Sequence, residues 1–286
     1  MAPLGLGAGF YGVGPTIGSD NAAAVVAPTG TTVRVGDGND NGLYFEASVL
    51  KSTFRDSFTI AFWVKLIEGQ PSSQLALFGN YGNSTGSGKC NLHLETDGKL
   101  NFGFEENSDS HQYKTDAAVF ASGSSAYKHI AITMTKAGDT ENSVSVIYVD
   151  GTRVDTSVVS GNEITGGNHS TWDDEDDAFG IGAASLLLVP GHPSSFIGLG
   201  TQGEYAEFAI WNVALSAGMV AAIEALGVPT ASNFPDLTAS SGAYNVEDDL
   251  VTYHKLNDYS GAIALELITG TPESQGRLLG VSNFMP

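Results

Sequence analysis

The chemistry this sequence could support lies mainly in oxygen-rich loops. Asp37-Gly38-Asn39-Asp40-Asn41 sets carboxylates and amides on a turn that contains glycine. Calcium takes several oxygen ligands from short loops of this kind. Asp37, Asn39 and Asp40 are therefore candidate calcium ligands, although Asn and Asp also favour turns for their own backbone reasons. Asp173-Asp174-Glu175-Asp176-Asp177 is a second acidic run. Adjacent side chains in such a run diverge, so it reads as a solvated loop before it reads as a cage. Sugars stack on aromatic faces, with amides and acids holding their hydroxyls. Trp172 beside the acidic run, Tyr81 in a Gly/Asn/Ser loop, and Tyr113 are candidate glycan platforms. Trp63 and Trp211 sit inside alternating apolar runs and are expected in the core.

Other chemistry finds little support. There is no Ser/His/Asp order and no nucleophile elbow. His93, His111, His129, His169, His192 and His254 lack metal-type spacing and are expected in loops or on strand surfaces. The single Cys90 excludes an internal disulfide framework and a Cys-rich metal site. A net charge of −20 repels phosphates, so nucleic acid is not an expected partner. No apolar run approaches the roughly 20 residues needed to cross a bilayer, so membrane insertion is not expected. Hydrophobic residues make up 42 % and the acids are spread out, which argues for a folded core.

These residues would be positioned by strands. Phe58 to Leu66 alternates with period 2, with Phe58, Ile60, Phe62, Val64 and Leu66 on one face and Thr59, Ala61, Trp63 and Lys65 on the other. Leu75–Phe78, Cys90–Glu95, Leu100–Phe104, Ile130–Thr135 and Val144–Val149 follow as strands, then Thr152–Val159 as one more. Asp97-Gly98 and Asp150-Gly151 read as tight turns, and a two-residue turn of this type needs positive φ at both residues. Ala178–Ile181, Phe196–Leu199, Glu204–Trp211 and Leu250–Leu256 complete the strands. Ser216 caps one short helix over 217–226, which Gly227 and Pro229 end. Many short strands with glycine-rich turns and a single helix predict an all-β sandwich.

Four segments occur in the order found in LamG-like domains of the concanavalin A-like lectin/glucanase superfamily. They are Phe58-Thr-Ile-Ala-Phe-Trp-Val-Lys65, His129-Ile-Ala-Ile-Thr-Met134, Val146-Ile-Tyr-Val-Asp-Gly151 and Gly203-Glu-Tyr-Ala-Glu-Phe-Ala-Ile-Trp-Asn-Val-Ala-Leu-Ser216. The run from about Arg34 to Leu226 resembles that family. The resemblance implies a concanavalin A-like two-sheet jelly roll with one short helix and extended terminal arms. Its boundaries are read as a Gly-rich arm at 1–33, the sandwich at 34–227 and a C-terminal extension at 228–286. Leu250-Val-Thr-Tyr-His-Lys-Leu256 also resembles a family segment and is expected to return to the sandwich. Some members bind calcium on the loop that Asp37 to Asn41 resembles, with an acid from the fourth segment. That acid would be Glu207, and the family's preceding aspartate is Ala206 here. Glucanases of the superfamily use Glu-x-Asp-x-x-Glu on one strand, and this sequence has no such run. The nearest pair, Glu204 and Glu207, is three apart, which puts the two on opposite faces of a regular strand. A non-enzymatic role is therefore expected.

The segment 1–33 has no Lys or Arg and its apolar pairs are broken by glycine, so it does not read as a secretory signal. It reads as an extended docking arm anchored by Leu4, Leu6, Phe10, Tyr11 and Val13. Gly276–Pro286 reads as a second apolar tail that needs a partner. Together these features suggest a bacteriophage virion protein: a capsid decoration, head-fibre or tail-associated subunit. Its expected partners are other virion proteins and copies of itself, with host-surface glycans as a possible target. The alternative is a calcium-dependent carbohydrate-binding module, with a glycoside hydrolase further behind.

Overall fold

The computed structural model describes residues 33–35, 42–46, 51–54, 56–66, 69–80, 89–106, 109–124, 126–136, 144–160, 178–182, 184–189, 192–197, 203–228, 235–256, 263–264 and 276–279. They form two stacked β-sheets. The first sheet has seven strands: β1 (Val33–Val35), β3 (Phe58–Leu66), β8 (Lys128–Thr135), β9 (Val144–Val149), β10 (Thr152–Arg153), β15 (Gly203–Trp211) and β16 (Leu250–His254). Its order is β1-β15-β3-β8-β9-β10, with β16 also on β15. The second sheet has eleven: β2 (Gly42–Glu46), β4 (Leu75–Asn80), β5 (Lys89–Leu94), β6 (Leu100–Glu106), β7 (Asp109–Thr115), β11 (Thr156–Ser160), β12 (Ala178–Ile181), β13 (Ala184–Val189), β14 (His192–Ile197), β17 (Ile263–Ala264) and β18 (Gly276–Leu279). It runs β11-β7-β6-β5-β4-β12-β2-β18-β17, with the β13–β14 hairpin attached to β4. Two helices, α1 (Lys51–Phe54) and α2 (Ala217–Ala225), accompany them. Among the described residues no helix is long and apolar enough to cross a membrane. This is the two-sheet sandwich expected from the alternating runs.

The alternation in β3 explains the main core. Phe58, Ile60, Phe62, Val64 and Leu66 all enter the space between the sheets. Ile130 and Ile132 of β8 and Tyr205, Phe208 and Ile210 of β15 join them. Leu92 and Leu94 of β5, Leu100, Phe102 and Phe104 of β6 and Phe179 of β12 meet them from the second sheet. Ring packing joins the layers where Phe62 lies edge-on to Phe78 at 5.7 Å, and continues along the second sheet where Phe78 stacks on Phe179 at 5.6 Å.

The other face of the first sheet is buried as well. Ala61, Ala131, Tyr148, Ala209 and Trp211 meet Leu215, Val220 and Ile223 from the α2 region, and Leu237, Tyr244 and Val246 from the chain before β16. The row of alanines lets this outer layer lie close to the sheet. α2 starts where Ser216 accepts a hydrogen bond from the Met219 amide at 3.3 Å, a normal N-cap. Thr59 joins the sheet to the link before the helix. Its hydroxyl donates to the Val213 carbonyl at 2.8 Å and accepts from the Leu215 amide at 2.9 Å.

Several sequence expectations change. The run expected as one strand at 152–159 is two strands in different sheets. β10 pairs with β9 and β11 pairs with β7, and the chain crosses between the layers at Val154 and Asp155. Asp150 (φ 48°) and Gly151 (φ 71°) form the expected tight turn. At Asp97-Gly98 only Gly98 has positive φ (78°). There the loop closes from the Glu95 amide to the Lys99 carbonyl at 2.9 Å, which makes a longer, three-residue loop. A Cβ on Gly98 would stand 2.0 Å from the Phe120 carbonyl oxygen, so close approach as well as φ requires glycine. The apolar tail from Gly276 finds a partner within the chain, because Arg277, Leu278 and Leu279 pair with Tyr44, Leu43 and Gly42.

The histidines also differ from expectation. His93, His129 and His254 lie in strands and are buried. His129 packs against Trp63 with ring centroids 5.1 Å apart. Burial lowers the pKa of both His93 and His129 from 6.5 to about 4, against a smaller opposing effect of Glu95 and Asp150 respectively.

Two predictions follow from this packing. Thr59→Val keeps the shape but strands the buried Leu215 amide and the half-buried Val213 carbonyl. Chemical denaturation is expected to show a loss of about 1–3 kcal/mol, which Thr59→Ser largely restores. A neutral folded histidine binds fewer protons than its unfolded counterpart below pH 6.5. Stability therefore falls as pH drops from 6.5 towards about 4, by up to about 3 kcal/mol per histidine, and this contribution levels off below that. In urea titrations across that window, His129→Gln is expected to flatten the pH slope. An unchanged slope would show that His129 is not buried neutral.

Candidate functional site

Glu207 is the predicted cation ligand that falls within the described residues. The register of β15 against β3 slips by one residue between Ala206 and Ala209, a β-bulge, and Glu207 takes φ 52° there. The bulge cancels the alternation that placed Glu204 and Glu207 on opposite faces. Glu204 lies on the outer face, bound by Lys65 (3.4 Å) and by the Tyr127 hydroxyl (2.5 Å). The Glu207 carboxylate turns to the outer layer, where the Tyr253 hydroxyl donates to its Oε2. The same phenol lies 3.2 Å from the Pro235 carbonyl. Burial, reinforced by the Glu207 charge, holds the Tyr253 phenol protonated far above its ordinary range. Glu207 is itself buried. The geometry gives it a structural task, fastening β16 and the residue 235 region to β15. Among the described residues no three His, Cys, Asp or Glu side chains gather as a metal site. Asp37, Asn39, Asp40 and the acidic run 173–177 lie outside the described residues, as do Tyr81, Trp172 and the arm residues Leu4, Leu6, Phe10, Tyr11 and Val13.

Tyr113 is described, on β7. It pairs with Phe102, whose side chain enters the inter-sheet core, so Tyr113 emerges on the core side of the sheet margin and is half-buried. Trp63 and Trp211 are buried as expected, on the outer side of the first sheet.

A polar surface that sequence reasoning missed lies on the outward face of the second sheet. Residues directly paired across antiparallel strands project to the same side. One such row runs Gly180, Gly79, Asn91, Gly103, Gln112 from β12 to β7. The next runs Ala76, His93, Asn101, Lys114, Ser157 from β4 to β11. The glycines make room for Asn91. A Cβ on Gly103 would lie 2.8 Å from Asn91 Oδ1, and one on Gly79 would lie 2.6 Å from Asn91 Cβ. Asn91 and His93 are buried, whereas Asn101, Gln112 and Lys114 are half-exposed and Ser157 is exposed.

A hydrogen-bonded group closes one end of this face. Glu95 Oε1 accepts from Gln74 Nε2 and from Asn101 Nδ2, each at 2.9 Å. Asn101 Oδ1 is buried and has no hydrogen-bond partner within the described chain. Lys99 and Lys114 approach Asp97 Oδ2 at 3.8 and 3.6 Å. Two amides joined through a carboxylate form a donor and acceptor array suited to hydroxyl groups. Two signals could have found it: the alternation of polar Asn91, His93 and Asn101 with apolar Cys90, Leu92, Leu94, Leu100 and Phe102, and the unusually polar strand Asp109–Thr115.

The chain is similar to several solved structures. One is the native heptameric SAP-like pentraxin from Limulus polyphemus (14 % identity, 68 % of this chain and 81 % of that chain, TM-score 0.42). Another is a putative carbohydrate binding protein from Bacteroides ovatus (17 %, 85 % and 58 %, TM-score 0.49), so the chain spans little more than half of that protein. A third is the CBM40 of Ruminococcus gnavus IT-sialidase bound to alpha2,3 sialyllactose (12 %, 68 % and 96 %, TM-score 0.46). No curated protein matches the chain. The model of the Concanavalin A-like lectin/glucanases superfamily matches residues 37–221, more than half of the sequence, and the chain belongs to that superfamily.

Proposed function

We propose that the chain is a non-catalytic carbohydrate-binding sandwich that holds a glycan on the outward face of β5, β6 and β7. The observation that carries this reading is the half-exposed pair of amides Asn101 and Gln112 beside buried Asn91 and His93, with Glu95 clamping the amide of Asn101. The outer face of the first sheet is covered by α2 and the chain before β16, whereas the second sheet keeps a half-exposed strip at Asn101 and Gln112 for a ligand. A non-catalytic role is supported by the carboxylates of β15, since Glu204 and Glu207 are separately engaged and do not form a working acid and nucleophile pair.

The test is a glycan array followed by titration of the best binder. Asn101→Ala and Gln112→Ala are each expected to weaken binding by about tenfold, the equivalent of roughly 1.4 kcal/mol, with little change in melting temperature. Unchanged affinity in both variants would move the site elsewhere. Calcium belongs to the same proposal through Asp37, Asn39 and Asp40. A melting temperature that rises with calcium, and does not rise in Asp37→Asn, would support the ion. Glu207→Gln is expected to lower stability equally with calcium and with EDTA, because its partner is Tyr253.

A virion role is a separate reading supported by the composition of the arm at 1–33. Mass spectrometry of purified particles tests it, and absence of the chain from them would end it.

A further inference from the structure

We infer that the ligand of this face is an uncharged glycan and that sugars carrying carboxylate or sulfate are selected against; this rests on the glycan reading proposed above. Among the described residues, the exposed end of the face carries the carboxylates of Glu95, Asp97 and Asp116 against the cations of Lys99 and Lys114. Both lysines are directed to one acceptor, Asp97 Oδ2, at 3.8 and 3.6 Å. The Glu95 carboxylate is met by neutral groups, since its Oε1 accepts from the amides of Gln74 and Asn101. Asp116 accepts from the Ser157 hydroxyl at 2.6 Å, which holds its negative charge beside β11.

An anionic sugar would have to compete with Asp97 for either lysine. It would do so in the field of a chain with net charge −20. A neutral sugar needs only the hydroxyl-matching groups, Asn101 and Gln112, and leaves the Asp97 pairs intact. Exposed ion pairs are individually weak, so the selection comes from the local excess of acid and the single shared acceptor. Removing the Asp97 charge therefore changes the ligand preference, because it frees two lysines and deletes one carboxylate together.

The experiment uses the full chain and matched pairs of oligosaccharides, such as lactose and 3′-sialyllactose, each with calcium and with EDTA. The neutral member is expected to bind about tenfold or more tightly than its sialylated or sulfated form at low ionic strength, with the gap narrowing as salt is added. Asp97→Asn is expected to raise affinity for the anionic member and leave the neutral member unchanged. Asp97→Ser, which keeps a short acceptor in the turn, is a second variant with the same expected outcome. Equal or tighter binding of the anionic member by the parent chain overturns this inference and leaves the glycan reading standing. Neutral preference that survives unchanged in both Asp97 variants overturns the charge mechanism. Failure of every pair to bind overturns the glycan reading and this inference with it.

Discussion

The central strands β3 and β15 are buried on both of their faces, and the remaining architecture follows from that. Their inward side chains, Phe58, Phe62, Tyr205 and Phe208 among them, fill the space between the sheets. Their outward side chains, Ala61, Ala209 and Trp211, lie under a second apolar layer. A sheet covered on both faces cannot also present a broad ligand surface. The half-exposed polar side chains Asn101, Gln112 and Lys114 lie instead on the outward face of the opposite sheet, whose inward positions are apolar.

Much of this could be read from the sequence, for particular reasons. β3 was legible because five large apolar residues recur with period 2 over nine positions. α2 was legible because Ser216 and Gly227 mark its ends. β7, Asp109-Ser-His-Gln-Tyr-Lys-Thr115, carries no apolar alternation, and its strand state comes from pairing with β6 on one side and β11 on the other. The split of 152–159 between two sheets was hidden for a similar reason. A run of Thr, Ser and Val looks the same whether it stays in one sheet or turns a corner. The buried histidines were missed because burial depends on what covers a strand face, and that cover is distant in sequence.

The polar face was less legible than the fold. Its members are scattered from Ala76 to Gly180 and come together only through the registers of six strands. Single residues in it, such as Asn101 or Gln112, have no distinguishing neighbours in the sequence. Glu207 shows the converse. Its position in a recognisable segment suggested a ligand, yet a one-residue slip in register turned its carboxylate towards a tyrosine 46 residues further along the chain. A motif specifies a backbone position reliably, while the direction of the side chain depends on local strand geometry.

The superfamily match ends at residue 221, but β15 does not reach its final neighbour until Leu250. Along one edge β15 is shared between β1 at its start and β16 at its end. A fragment cut at the end of the match would bare half of that edge and leave Trp211 and the alanine row open to water. Exposed backbone beside an apolar stripe is a template for strand-to-strand aggregation. The recognisable domain thus stops short of β16, the strand that acts as a lid on an otherwise adhesive edge of β15.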